Sequence, residues 1–203
     1  MDIIKQPNSN ENIEYHPFGT FIFSNVKVMM IGSFPPPRSK WRMEFYYPNF
    51  HNDMWRIFGL VFFDNKEYFV SKGNKSFDVS RLSTFLKEKG IGIADMGEEI
   101  IRLKDNASDK YLEIVKPLNV SALLPQIPLC HAFITTGEKS TETFRMHVSD
   151  KIKQPPVGGC KSFNHLERAF TLYRLPSSSR AYPMPLIKKA EIYKQCFIDL
   201  GIL

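Results

Sequence analysis

Apolar positions along the chain follow two different periods. Val26 to Ile31 (VKVMMI) is an almost continuous apolar run, the pattern of a strand buried on both faces. It stops at Gly32-Ser33 and at Pro35-Pro36-Pro37, which force an irregular loop. From Asn52 the period becomes helical, with Met54, Trp55, Phe58, Val61 and Phe62 on one stripe. Asp78 or Ser80 can cap a helix carrying Leu82, Phe85 and Leu86 that ends near Gly90. Ile91–Met96 reads as a second buried strand, Asn119–Leu124 as a short helix and His131–Thr136 as a third strand, with a further helix opening after Gly137. Lys151–Asn164 contains two prolines and two glycines and reads as a loop. Ala169–Leu175 gives a fourth strand. Pro185–Leu200 gives a terminal helix with Ile187, Ala190, Tyr193, Phe197 and Leu200 facing inward. Residues 1–25, rich in Asn, Pro and Glu, form a lead-in segment.

Strands alternating with helices predict an α/β protein, a three-layer α/β/α sandwich around a mainly parallel four-stranded sheet. With 203 residues, one domain over positions 1–203 is expected. Ligands in such sheets bind beyond the carboxyl ends of the strands, near the point where strand order reverses. The loop after the first strand, the Thr135-Thr136-Gly137 corner and the loop after the fourth strand all fall on that edge.

Composition narrows the class further. A 43% hydrophobic and 24% charged chain is an ordinary globular one. No apolar run is long enough to span a membrane, and the polar first fifteen residues argue against a secretory signal. Cys130, Cys160 and Cys196 are odd in number and widely spaced. They suit neither a disulfide framework nor a zinc or iron–sulfur site, so a reducing cytoplasm and no metal are expected. A net charge of +6 and a pI of about 9.2 favour polyanionic partners. Gly137-Glu138-Lys139-Ser140 lacks the upstream glycine of a phosphate-binding loop, which argues against nucleoside triphosphates.

Two blocks carry candidate chemistry. The first is Gly32-Ser33-Phe34-Pro35-Pro36-Pro37, followed by Tyr46-Tyr47 and by Asn52-Asp53-Met54-Trp55. A glycine turn after a buried strand exposes backbone N–H groups, and the prolines stiffen the loop around a small planar ligand. The second is Leu175-Pro176-Ser177-Ser178-Ser179-Arg180, where small hydroxyl side chains suit close approach to phosphates and Arg180 adds a cation.

In order and spacing, GSFPP…YY…N-x-x-W followed by LPSSS resembles the two signature motifs of the uracil-DNA glycosylase superfamily, and most of all its hypoxanthine-DNA glycosylase-like branch. The resemblance spans roughly Val26 to the terminal helix. It implies a monofunctional DNA glycosylase that removes a deaminated base (hypoxanthine, uracil or xanthine) during base excision repair, without a cofactor and as a monomer. It also implies roles for single residues. Asn52 would be catalytic. Tyr47 would stack on the flipped base, with Gly32, Ser33, Phe34 and Thr136 forming the rest of the base pocket. Pro176, Ser177, Ser178, Ser179 and Arg180 would hold the DNA backbone.

The sequence departs from the superfamily at Phe34, where mismatch-type members carry asparagine, and at Asn49-Phe50, which replace a His-Pro pair. No acid stands in the proline-rich loop, where classical uracil enzymes keep an aspartate. A relative that binds nucleic acid or a free nucleobase without cleaving it is therefore the competing expectation. Simpler roles also compete residue by residue. Trp55 reads as core, and Tyr46 and Tyr47 could cap the core rim. Asn52 could be a helix cap only. Asp95 could orient a pocket group or satisfy a loop amide, and His51 lies near the site. His16, His131, His147 and His165 have no ligand spacing and read as structural or exposed. Arg38, Lys40 and Arg42 could face phosphates or merely solvent.

Overall fold

The computed structural model describes residues 12–104, 109–149 and 151–203. The strands are β1 (Ile13–Tyr15), β2 (Val28–Gly32), β3 (Ile91–Asp95), β4 (Gly97–Arg102), β5 (Leu112–Pro117), β6 (Ala132–Thr136), β7 (Cys160–His165) and β8 (Arg168–Leu175). The helices are α1 (Met54–Phe63), α2 (Val79–Lys89), α3 (Val120–Leu123), α4 (Glu138–Val148) and α5 (Leu186–Asp199).

All five residues of β2 are buried, because its alternate side chains serve two cores. Val28 and Met30 pack with Trp55, Phe58, Leu82, Phe85, Tyr193 and Phe197, from α1, α2 and α5. Met29 and Ile31 face the other way, toward Leu123, Phe133, Phe144 and Phe170, with α3 and α4 covering that side. The result is the expected α/β/α sandwich.

The central sheet has five strands in the order β3-β2-β6-β8-β7, not four. The first four run parallel, and β7 joins β8 antiparallel at the edge. β7 occupies part of the stretch expected to be loop. Phe163 is its one buried residue, so no apolar run marks it in the sequence. A second, antiparallel sheet, β1-β4-β5, was not expected at all. It takes up part of the lead-in segment, whose residues 1–11 lie outside the described ones.

The helix termini follow capping rules. Of the two candidate caps of α2, Asp78 makes the bond, its carboxylate accepting the Arg81 N–H at 2.9 Å, and Gly90 ends the helix in the left-handed region. In α5 the inward face carries Lys189, Ala190, Tyr193, Cys196 and Phe197. Ile187, expected inside, is 59% exposed, since it sits roughly 120° around the helix from Tyr193. Leu200 is only partly buried.

The chain leaves β2 for β3 on one side and later returns as β6 on the other. The carboxyl ends of β2 and β6 therefore flank the switch point, and the candidate residues gather there.

Candidate active site at the carboxyl edge of the sheet

The loop after β2 is fixed from three directions. Gly97 N–H donates to the Ser33 carbonyl at 3.0 Å, Arg102 Nη2 to the Pro35 carbonyl at 3.0 Å, and Trp41 Nε1 to the Pro36 carbonyl at 2.7 Å. The small second sheet thus acts as a backing for this loop. The backbone N–H groups of Ser33 and Phe34 have no acceptor among the described residues. Gly32 must be glycine because of close approach: a Cβ there would lie 2.1 Å from Asp95 Oδ1 and 3.3 Å from the Tyr47 hydroxyl.

Tyr47 has φ 51, a left-handed conformation costly for a residue with a side chain. Its hydroxyl meets Thr136 Oγ1 at 3.0 Å, and its ring packs edge-on to Trp55 with centroids 5.8 Å apart. Burial, reinforced by the Asp95 carboxylate, pushes the phenol well above its usual range, so it stays neutral. Trp55 is core, as expected, and donates from Nε1 to the Tyr46 carbonyl at 3.0 Å. Tyr46 is buried too and donates its hydroxyl hydrogen to the Gly19 carbonyl.

Asn52 splits its two ends. Its Oδ1 accepts the Met54 N–H at 2.9 Å, satisfying one of the open donors at the start of α1. Its Nδ2 has no partner among the described residues, and the residue lines the cavity described below. The next residue, Asp53, ties the second loop to the same helix end. Its N–H donates to the Ser178 carbonyl at 3.0 Å, and its carboxylate receives Arg180 Nε at 2.9 Å and Lys189 Nζ at 3.5 Å. Lys189, fully buried, also donates to the Ser179 carbonyl at 2.7 Å. Burial lowers the pKa of its ammonium group, and Asp53 opposes that shift. The cation at Arg180 is thus engaged by Asp53 while remaining half-exposed.

These segments enclose a cavity of about 530 Å³. Gly32, Ser33 and Phe34 line it from one loop, and Ser177, Ser178, Ser179 and Arg180 from the other. Tyr47, Asn52 and Thr136 line it between them. Pro176 faces an adjoining groove of about 690 Å³ that shares Ser177, and its carbonyl accepts the Tyr193 hydroxyl at 2.9 Å. His51 also lies on the cavity wall. Arg38 pairs with exposed Glu44 at 2.7 Å, and Arg38, Lys40 and Arg42 do not line the cavity.

Two carboxylates enter this cavity from outside both loops. Asp95, at the end of β3, is buried and accepts a hydrogen bond from His16 Nε2 at 2.9 Å. His16 Nδ1 accepts the Phe18 N–H at 3.3 Å, which leaves Nε2 as the nitrogen whose N–H is directed at Asp95. His16 is therefore a buried partner of the site, placed there because β1 pairs with β4. Asp109 accepts the Ser33 hydroxyl hydrogen at 2.7 Å. Burial pushes its carboxyl above the usual carboxylate range, with the Ser33 hydrogen bond opposing. Asp109 carries no sequence signal that singles it out, and His16, expected to be structural or exposed, has its side chain buried against Asp95. Each lies more than seventy residues from its partner, and neither sits in a patterned segment.

Among the described residues, no three His, Cys, Asp or Glu side chains are grouped so as to hold a metal ion, and the three cysteines are unpaired. No helix among them is long and apolar enough to cross a membrane.

No protein-family model and no curated protein matches the sequence. Among solved structures, the chain is similar to the solution NMR structure of a "putative uracil DNA glycosylase" from Methanosarcina acetivorans. The match has a TM-score of 0.63 and 19% identity, and covers 94% of this chain and 99% of that one. With its central, mostly parallel sheet flanked by helices, the chain has the uracil-DNA-glycosylase-like fold.

Proposed function

We propose that this chain is a monofunctional DNA glycosylase of the uracil-DNA glycosylase superfamily, close to its hypoxanthine-DNA glycosylase branch. In this reading it is a single-domain, cytoplasmic monomer that removes a deaminated base (hypoxanthine, uracil or xanthine) from DNA. The observation that carries the reading is the meeting of both motif loops around one cavity, lined by residues whose hydrogen-bond donors have no acceptor among the described residues.

The chemistry of the bond fits these donors. Breaking an N-glycosidic bond leaves positive character on the sugar and negative charge on the departing base. Preorganised donors aimed at that charge supply most of the stabilisation in such sites. The Ser33 and Phe34 amides and Asn52 Nδ2 are donors of this kind. Tyr47 offers an aromatic surface for the base, and the Ser177–Ser179 loop suits a phosphodiester approaching it. The net charge of +6 favours association with DNA. A deaminated and mispaired base is also less costly to extrude from the duplex. The likeness to the Methanosarcina acetivorans structure is consistent with this reading.

The test is a panel of oligonucleotides, each with one uracil, hypoxanthine or xanthine, in single and double strands, scored for alkali-labile abasic sites. Release from at least one of them is expected. No release from any, at enzyme in excess over DNA, would refute the reading.

A further inference from the structure

The proposed glycosylase reading supplies donors for the departing base but leaves open which group takes a proton from the attacking water. Three carboxylates stand in or near the cavity, and their surroundings separate them. Asp53 is held by Arg180 and Lys189. Asp95 commits Oδ2 to His16, while its Oδ1 lies tight against the Gly32 backbone. Asp109 is different. Its Oδ1 accepts the Ser33 hydroxyl hydrogen, and its Oδ2 has no hydrogen-bond partner among the described residues. Oδ2 lies near the backbone of Gly137, where a Cβ would be 4.0 Å from it, close to the end of β6. Asp109 also lines both the 530 Å³ cavity and the adjoining groove, at their shared boundary.

We infer that Asp109 is the general base of the reaction, with Ser33 as the residue that positions it. The step balances as follows. Asp109 Oδ2 takes one proton from a water molecule as the water oxygen bonds to the anomeric carbon of the deoxyribose. The bond from that carbon to the base nitrogen breaks, and its electron pair leaves with the base, which then takes a proton from solvent. Asp109 returns its proton to solvent afterwards. The inference rests on the glycosylase reading, but it assigns a residue that lies outside both loop motifs.

The charged environment suits the task. A general base works best when its pKa lies near the working pH, and burial moves Asp109 in that direction. The Asp95 carboxylate raises it further, while Lys139 and Arg102 oppose, and the neutral Tyr47 phenol stands close by. Ser33 donates to the charged form of the carboxylate and so favours it.

The experiment is single-turnover base release across pH, using the full chain and the substrate identified by the oligonucleotide panel. Asp109→Asn is expected to slow release by about 10²- to 10⁴-fold, the usual contribution of a general base. Binding to an abasic-site duplex should stay unchanged, which controls for folding. Wild-type release should fall at low pH along a single acid limb. Ser33→Ala should move that limb to higher pH, because the carboxylate loses a donor. Asp109→Asn with wild-type-like release, or Ser33→Ala with an unmoved acid limb, overturns the assignment and leaves the glycosylase reading intact. A wild-type chain that releases no base overturns both.

Discussion

The hydroxyl of Tyr47 lies 3.0 Å from Thr136 Oγ1, joining the loop after β2 to the end of β6 across the switch point of the sheet. That bond, together with the left-handed backbone at Tyr47, holds the ring against the cavity. Two substitutions separate ring from hydroxyl. Tyr47→Phe should lower stability by about 0.5–1.5 kcal/mol in urea unfolding, the usual net worth of such a bond, while retaining most base release. Tyr47→Ala removes the aromatic surface and should cost about 1–3 kcal/mol in kcat/KM, the range for a lost base–aromatic stack. Equal losses of activity from both would show that the hydroxyl, not the ring, carries the function.

Asn52 Oδ1 accepts the Met54 N–H ahead of the first turn of α1, where Asp53 is the N-cap residue, while its Nδ2 has no partner among the described residues, so its two ends can be tested apart. Asn52→Asp keeps an oxygen acceptor for the Met54 N–H and places a negative charge at a helix start, where it is favourable. It removes the Nδ2 donors. We expect its melting temperature to match the wild type while base release falls by about 10²- to 10³-fold, the cost of losing one donor to developing charge. Asn52→Ala should lose both, with about 1 kcal/mol of stability gone with the hydrogen bond to the Met54 N–H. Full activity in Asn52→Asp would leave the residue with its hydrogen bond to the Met54 N–H alone.

The parts of the fold that were legible in the sequence share one physical property. β2, β3 and β6 are fully buried strands and β8 is buried at half its positions, so they announce themselves as apolar runs, and α1 and α2 show clean helical stripes. β7 hides because five of its six residues are exposed or half-exposed, leaving Phe163 alone to signal it. β4 and β5 hide for a similar reason, mixing charged and apolar positions in a small sheet. At the site, the two loops were readable because glycine, proline and serine mark tight backbone. Asp109 and His16 were not, because what matters about them is a hydrogen bond across the fold. Ser33 and Asp109 are 76 residues apart, and His16 and Asp95 are 79. No local pattern encodes such a pairing. Asp95 alone gave a hint, as an acid closing a buried strand.

Asp109 should also leave a mark on stability, independent of any activity. Its folded carboxyl is raised above the unfolded value, which is about 3.9. Between those two values the folded state holds more protons than the unfolded state. Its stability therefore falls as pH rises through that window, and stays lower by a constant amount above it. The contribution is fully present only below the unfolded value. Asp109→Asn cannot titrate, so this fall should vanish. Urea-unfolding free energies of wild type and variant, measured from pH 4 upward, should diverge in the variant's favour as pH rises. Parallel curves would mean that the carboxyl is not buried as described.

Lys189 provides the last test, of how the second loop is held. Its ammonium is fully buried, 2.7 Å from the Ser179 carbonyl and 3.5 Å from Asp53 Oδ2. Removing one member of a buried ion pair usually strands the other charge and costs about 3–5 kcal/mol. Here Arg180 still pairs with Asp53 at 2.9 Å, so Lys189→Met should cost less, about 1–3 kcal/mol, close to the loss of hydrogen bonds to a charged group. The same change frees the Ser179 carbonyl and should weaken binding to an abasic-site duplex, since the loop proposed to face DNA loses its hydrogen bond to α5. Adding Asp53→Asn removes the charge left behind. In a double-mutant cycle the pair should therefore be less destabilised than the sum of its two single variants, by an interaction energy of about 0.5–3 kcal/mol. Simple additivity would mean that the two side chains, though close, do not hold the loop together.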